Sequence, residues 1–421
     1  MINMLPYGGY ICIPVSKYRL KRDMRENNRD NEGGTNIGRR RFLASAGAAS
    51  AVAFAGCSGG SGGSGSGDGS TDTESGDSGS DGGTTSQSSV PPKPDSITVR
   101  AWGGAWQENL DEYVSSAFTE ETGIPVEYDN SNEDEMQAKI RTAIRQDRTP
   151  PVDVQWSLTK TSFQSLQMEL IQPLDTEVVP NITNLLGAGK PETDGAEWPF
   201  ANLYSYTYAL TYNTDRMESE PTSWSIWWED QWENDIGLYT AGHGVTPVIA
   251  EMTDTELGAV EDMDPIWEEY RDLKPNVGAI GDDSTLSQNL RQGEVAMSVM
   301  LPANIVNAQD DGAPVDYTIP EEGARAGRDT MWVPKNLDDS HTYWGQKYIN
   351  TAASGDVIGP WCRNLGVAPL HPDAEIPEWM VEDVAFPTTE DQFSQMITPS
   401  LDVLTENEPD WETRVNEIMG G

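Results

Sequence analysis

The chain has 421 residues with 27 Lys+Arg against 69 Asp+Glu, a formal net charge of −42, and is 36% hydrophobic and 8% aromatic. A polyanion of this strength repels phosphate backbones and anionic lipid headgroups, which excludes nucleic-acid binding and a basic membrane-surface role from the expected functions. Fourteen Trp and fourteen Tyr supply enough bulk for packed cores, so the charge does not signal disorder. The charge is unevenly divided: residues 1–57 hold nine basic and four acidic residues, leaving 18 basic against 65 acidic in the remainder. Acidic side chains spread along a chain with only nine Lys fit a surface adapted to high salt, where ions screen carboxylate repulsion.

Arg39-Arg40-Arg41-Phe42-Leu43 opens an apolar, small-residue stretch from Ala44 to Gly56. It is too short to span a bilayer as a helix and reads as the hydrophobic region of an export signal. The paired arginines followed by x-Phe-Leu resemble the twin-arginine signal, and Phe54-Ala55-Gly56-Cys57 is similar to a lipobox, which assigns Cys57 to lipidation. From Ser58 to Ser89 the chain is almost wholly Gly, Ser, Thr and Asp. Such a segment has nothing to bury and much backbone entropy to lose, so a flexible tether is expected over 58–95. With Cys57 lipidated, Cys362 alone remains in the mature domain and no disulfide forms within it.

The body from residue 96 alternates strand-like and helix-like segments. Ile97-Thr98-Val99-Arg100-Ala101 predicts a strand; Leu110, Tyr113, Val114, Ala117 and Phe118 then recur at helical spacing until Gly123. Pro125–Tyr128 predicts a second strand, Met136, Ile140, Ala143 and Ile144 a second helix, and Val152–Trp156 a third strand. This βαβαβ order implies a parallel sheet with crossover helices. Trp224, Trp227, Trp228 and Trp232 fit helical spacing and a packing role. Val260, Met263, Ile266, Trp267, Tyr270 and Leu273 form a helical stripe, Asp282 and Asp283 read as a helix start, Val295–Met300 as a buried strand, and Tyr343, Lys347, Tyr348 and Ala352 as a late helix returning to the first lobe. A body of this length makes two lobes, and ligands of open α/β sheets sit at the carboxyl ends of the strands, in the cleft between.

Several segments occur in an order and spacing that resemble the solute-binding proteins of ABC importers, specifically the spermidine/putrescine-binding group. They are Trp102 with Phe118-Thr119-Glu120-Glu121-Thr122-Gly123-Ile124, Leu170-Ile171-Gln172-Pro173-Leu174-Asp175, Pro221-Thr222-Ser223-Trp224, Lys274-Pro275-Asn276-Val277, Gly293-Glu294-Val295-Ala296, Pro320-Glu321-Glu322-Gly323 and Val333-Pro334-Lys335-Asn336. The resemblance covers 97–372. It implies an α/β, two-lobe periplasmic-binding-protein (type II) fold with the ligand cleft between lobes, here apportioned as 96–208 with 328–421 and as 209–327. It also implies a monomer on the extracellular face of the cell membrane that hands a small solute to a membrane permease, with no cofactor and no metal. The resemblance places Trp102 on the aromatic at the end of the first strand and Asp329 on the amine-binding carboxylate. The family's acidic pair has no counterpart in Thr240–Val245, Leu301 and Gly327 stand where it carries cleft tryptophans, and Lys160 or Thr161 replaces a Tyr.

The candidate ligand-binding set is Trp102, Gly103, Tyr204, Tyr206, His243 and Asp329. Tyr204, Tyr206 and Tyr208 alternate as one face of a strand does, lining a cleft or paving a sheet. His243, between two glycines, caps a loop or contacts the ligand. An extracellular carbohydrate-active enzyme stands as the alternative of a different class, and thiamine, a phosphonate or ferric ion as alternative ligands. No nucleophile motif, phosphate loop or His-Glu-x-x-His supports an enzyme in the body.

Overall fold

A computed structural model describes Val90–Gly420 apart from residue 192 and residues 194–196; the twin-arginine segment, the Cys57 lipobox and most of the tether lie outside the described residues. The last residues assigned to the tether belong to the body instead. Pro92 accepts hydrogen bonds from Ser340 Oγ (2.6 Å) and Trp344 Nε1 (3.1 Å), and Lys93 Nζ sits 5.6 Å from the Trp344 ring centroid. Three prolines and a lysine end the Gly/Ser composition there, and the stiffened chain finds an aromatic face to pack on.

Strand order in the first sheet is β12-β5-β11-β3-β1-β2, from Ile97–Arg100 (β1), Val126–Asp129 (β2), Val154–Leu158 (β3), Ala201–Thr207 (β5), Ala326–Pro334 (β11) and Ala368–Pro369 (β12), with Ile171–Gln172 (β4) beside β11. As the alternating pattern required, β1 pairs in parallel with both β2 and β3. The crossover after β1 is one continuous helical run, Gly104–Asn109, a π-helical stretch Leu110–Ser115, and Ser116–Thr122, closed by Gly123 at φ 74°. Its Leu110, Val114 and Phe118 are buried against the sheet with Trp344 and Tyr348 of the late helix Asp339–Ala352. The other crossover, Glu133–Arg145, starts under an Asn132 cap and buries Met136 and Ile140 on the opposite face.

The second sheet repeats the design in the order β10-β6-β9-β7-β8, from Ala209–Asn213 (β6), Ile236–Tyr239 (β7), Val277–Gly281 (β8), Met297–Met300 (β9) and Val315–Thr318 (β10). Here β7 is parallel to β8 and β9, and β6 is antiparallel to β9 and β10. Trp224 and Trp227 are fully buried in its core as expected, but on a 3₁₀ helix, Trp224–Trp228, rather than an α-helix. Each sheet has its own core, so two lobes form.

The lobes are joined where β5 passes into β6 through Tyr208, where residues 319–325 lead from β10 to β11, and where residues near Ile397 run alongside. These segments are hydrogen-bonded to one another: Tyr208 N donates to Arg325 O (2.8 Å), Ile397 N to Ala324 O (2.9 Å) and Ala326 N to Ile397 O (3.0 Å). The C-terminal segment corrects the expected division, in which everything after residue 328 joined the first lobe. Met380 and Phe386 pack with Leu286, Ile305 and Tyr317, and the final helix Leu401–Gly420 buries Leu404, Trp411 and Val415 in the second core. Those three form its buried stripe, and the helix lies against Thr240–Gly242 and the Asp264–Leu273 helix of the second lobe and against the Thr159–Gln167 helix of the first. Among the described residues no helix is long and apolar enough to cross a membrane.

Candidate functional site

The strand ends of the first sheet gather four of the six candidate residues. Beyond β1, Trp102 is followed by Gly103 at φ 74°, ψ −179°, a conformation open essentially to glycine, and the helix begins at the next residue. A side chain there would be strained, so the glycine fixes the sharp turn that leaves Trp102 at the sheet edge. The Trp102 ring meets Trp156 edge-on at 6.3 Å, and the Arg100 guanidinium lies 3.8 Å from its centroid. Arg100 is 2% exposed and is held by carbonyls, Nη1 donating to Trp156 O (2.8 Å) and Nε to Ser131 O (3.2 Å). The indole Nε1–H of Trp102 is buried without a hydrogen-bond partner.

Asp329 sits on β11 in register with Leu158 of β3 and Tyr204 of β5. Its Oδ2 accepts from the Tyr204 hydroxyl at 2.5 Å, and that hydroxyl accepts from Trp156 Nε1 at 3.1 Å. Asp329 is only 4% exposed, yet its Oδ1 has no partner. Burial pushes its carboxyl up to about 7, against the opposing pull of the Tyr204 hydrogen bond and of Arg100. Glu133, the first residue of its helix, accepts from Leu158 N at 2.9 Å. Burial pushes it to about 7 as well, with Arg100 opposing and Asp329 adding. Two buried carboxyls thus share one buried guanidinium.

Tyr206 and His243 line an adjoining cavity of about 200 Å³ at the crossing strands, together with Lys160, Arg325, Arg328 and Glu408. Tyr206 explains one departure from the family pattern: a Cβ added to Gly327 would lie 2.5 Å from the Tyr206 phenol ring, so the tyrosine occupies the space that a larger residue at 327 would need. Glu408 accepts ion pairs from Lys160 Nζ (2.6 Å) and Arg325 Nη2 (2.8 Å). Although burial opposes it, those two cations hold its carboxyl below the ordinary value. His243 Nε2 lies 2.8 Å from the Tyr208 hydroxyl and Nδ1 lies 3.3 Å from Arg325. Burial first, and Arg325 and Lys160 with it, push its pKa down to about 3, so the ring is neutral. Ligand atoms of His243, Glu408 and Glu412 lie within 4.8 Å of one another, but both Glu408 oxygens are taken by cations and Arg325 abuts the imidazole, so a metal ion is disfavoured there. Away from this cavity, Asp282 caps its helix by accepting from Thr285 N (2.9 Å), the helix start expected there.

Trp102, Gly103, Tyr204 and Asp329 are therefore one group, Tyr206 and His243 another, and β5 links them through Tyr204 and Tyr206. Tyr204 is fully buried and acts on Asp329 rather than presenting a surface of its own. Arg100, Glu133, Arg325 and Glu408 were not anticipated. Arg100 carried a signal, a basic residue inside an otherwise apolar strand; for Arg325 and Glu408, 83 residues apart, no local pattern exists.

The chain is 24% identical over 270 residues to the spermidine/putrescine-binding periplasmic protein of Salmonella typhimurium, across 62% of this chain and 74% of that one. It is 24% identical over 332 residues to spermidine/putrescine-binding periplasmic protein 1 of Haemophilus influenzae, across 75% and 84%. The crystal structure of the spermidine/putrescine ABC transporter substrate-binding protein of Streptococcus pneumoniae matches with a TM-score of 0.63 and 20% identity over 77% of this chain and 100% of that one. At that identity the likeness establishes the fold, which is the type II periplasmic-binding-protein fold expected above. The family described as bacterial extracellular solute-binding protein matches residues 114–388, a span that takes in strands of both sheets and the crossings between them. The chain therefore belongs to the bacterial extracellular solute-binding proteins, a family of binding components and not of enzymes.

Proposed function

We propose that this protein is the surface-anchored binding component of an ABC importer and that it captures a small organic amine at the cleft edge of the first sheet. The observation that carries the reading is the Asp329 Oδ1, a buried carboxylate oxygen without a partner. Such a group costs stability until a donor meets it, and a ligand ammonium supplies both the donor and the charge. Trp102, at the end of β1, offers an aromatic face for methylenes. The names of the curated relatives, which bind spermidine and putrescine, agree with an amine. Twin-arginine export, lipid on Cys57, a monomeric state and adaptation to high salt complete the proposal, on the sequence features that suggest them.

Calorimetry with a short aliphatic diamine tests it. Removing one member of a buried, hydrogen-bonded charge pair costs roughly 2–5 kcal/mol, so Asp329→Asn should weaken binding at least ~30-fold. Trp102→Ala should cost about 1–3 kcal/mol through lost burial and cation–π contact. An Asp329→Asn protein that binds amines as well as the parent sinks the reading. Anchoring is tested separately: Cys57→Ser should release the protein into the medium, and equal retention on membranes contradicts lipidation.

A further inference from the structure

We propose that the C-terminal segment from Met396 to Gly420 is a strap that limits how far the two lobes open, fastened to the first lobe by the Lys160–Glu408 ion pair. Such a strap works on the frame of the cleft, whichever solute the cleft takes. The segment lies past the span that the family matches, which ends at residue 388. It starts against the crossing strands, where Ile397 pairs in parallel with Arg325 and the Phe393 ring just before it lies 5.5 Å from the Arg328 guanidinium. Thr398, Pro399, Ser400 and Leu401 then form one wall of the cavity there. The helix that follows has 20 residues, about 30 Å of length. Its far half is bound to the second lobe: Trp411 Nε1 donates to Gly258 O (2.7 Å) and Lys274 Nζ to Ile418 O (2.8 Å).

Between those ends the helix reaches the first lobe. Lys160 is the second residue of the Thr159–Gln167 helix, which leaves the carboxyl end of β3 and packs on the strap. Its ammonium meets Glu408 at 2.6 Å, and Arg325 of the crossing meets the other oxygen of the same carboxylate at 2.8 Å. The Glu408 side chain is 7% exposed, so separating the pair leaves a buried charge short of a partner, a cost that exposed pairs escape. Glu412, one turn on, also feels both cations. Because Arg325 lies on the crossing itself, the fastening sits beside the hinge. Small rotations leave it intact, and wide ones must pull Lys160 off Glu408. Lobes held near one another leave a solute less ordering to impose, which raises the apparent affinity for any solute the cleft accepts.

The test is the distance between the lobes without solute, by pulsed electron spin resonance on the full chain in molar salt. Spin labels go on Glu121→Cys in the first lobe and Gln288→Cys in the second, both exposed positions off the strap, with Cys12→Ser and Cys57→Ser; Cys362 is buried and takes no label. The parent should give one narrow distance distribution. Lys160→Met leaves Glu408 its Arg325 partner, so the chain should fold, with a distribution shifted to longer distances and broadened. Lys160→Arg, which keeps the ion pair, should restore the parent's, and Glu408→Gln should behave as Lys160→Met does. Parental distances in Lys160→Met overturn the strap even where the melting temperature falls, since a merely structural ion pair adds stability without holding the lobes. A longer distance that Lys160→Arg fails to reverse overturns it too. Should Lys160→Met and Glu408→Gln both lose their circular dichroism, the parent decides: a narrow distribution supports the strap, and a broad one means that nothing restrains the lobes.

Discussion

Asp329 joins the chemistry of the site to a measurable cost. Its folded pKa near 7 stands above the ordinary carboxyl value, so between about pH 4 and 7 the folded chain holds a proton that the unfolded chain has released. The sign follows: this contribution to stability is complete below pH ~4 and is lost as pH rises through 7. Asp329→Asn should therefore raise the melting temperature at pH 8 by a few °C and leave it unchanged near pH 4, while weakening amine binding. Affinity for an amine should itself climb with pH, by up to tenfold per unit below 7, because the ligand must displace that proton. A variant destabilised at pH 8, or a pH-independent affinity, would show that the carboxyl is a structural member of the Tyr204–Trp156 network. Trp102 was legible from its place at the end of a predicted strand and, like Asp329, from the resemblance to the family; the resemblance alone carried Asp329, because no strand is predicted around it. The Lys160–Glu408–Arg325 triad was not, because three chain segments must fold before its members meet.

At the scale of elements, parallel pairing, crossover helices and the buried run of β9 could be read from periodicity, since each reflects a local rule of burial. The destination of the C-terminal helix could not. Its Leu404, Trp411 and Val415 mark a buried face without saying which core it covers, and Pro409 inside it reads against a helix altogether. Trp411 is 2% exposed and donates Nε1–H to Gly258 O at 2.7 Å. Trp411→Ala should cost about 3–5 kcal/mol in urea unfolding, from the cavity and the orphaned carbonyl together; a loss below 1 kcal/mol would mean the helix is dispensable to the second lobe. Gly327 gives a sharper test. Gly327→Ala drives a methyl against the Tyr206 ring and should cost about 1–3 kcal/mol, and Tyr206→Ala should abolish that penalty. Additive effects in the double variant would refute the close approach.

For the whole molecule, charge dominates. With 65 acidic against 18 basic residues after position 57, self-repulsion weakens as the Debye length falls from ~10 Å at 0.1 M to ~3 Å at 1 M. The melting temperature should rise across that range, and an unchanged value would remove the case for adaptation to salt. The two ends of the described chain have a separate use. Val90–Asp95 is fastened to the first lobe through Trp344, and the last helix is fastened to the second through Trp411 and Lys274. The same last helix also holds Lys160 of the first lobe through Glu408, so it is a strap across the two halves, and a dye at the chain's end would follow the motion of the strap rather than the opening of the cleft.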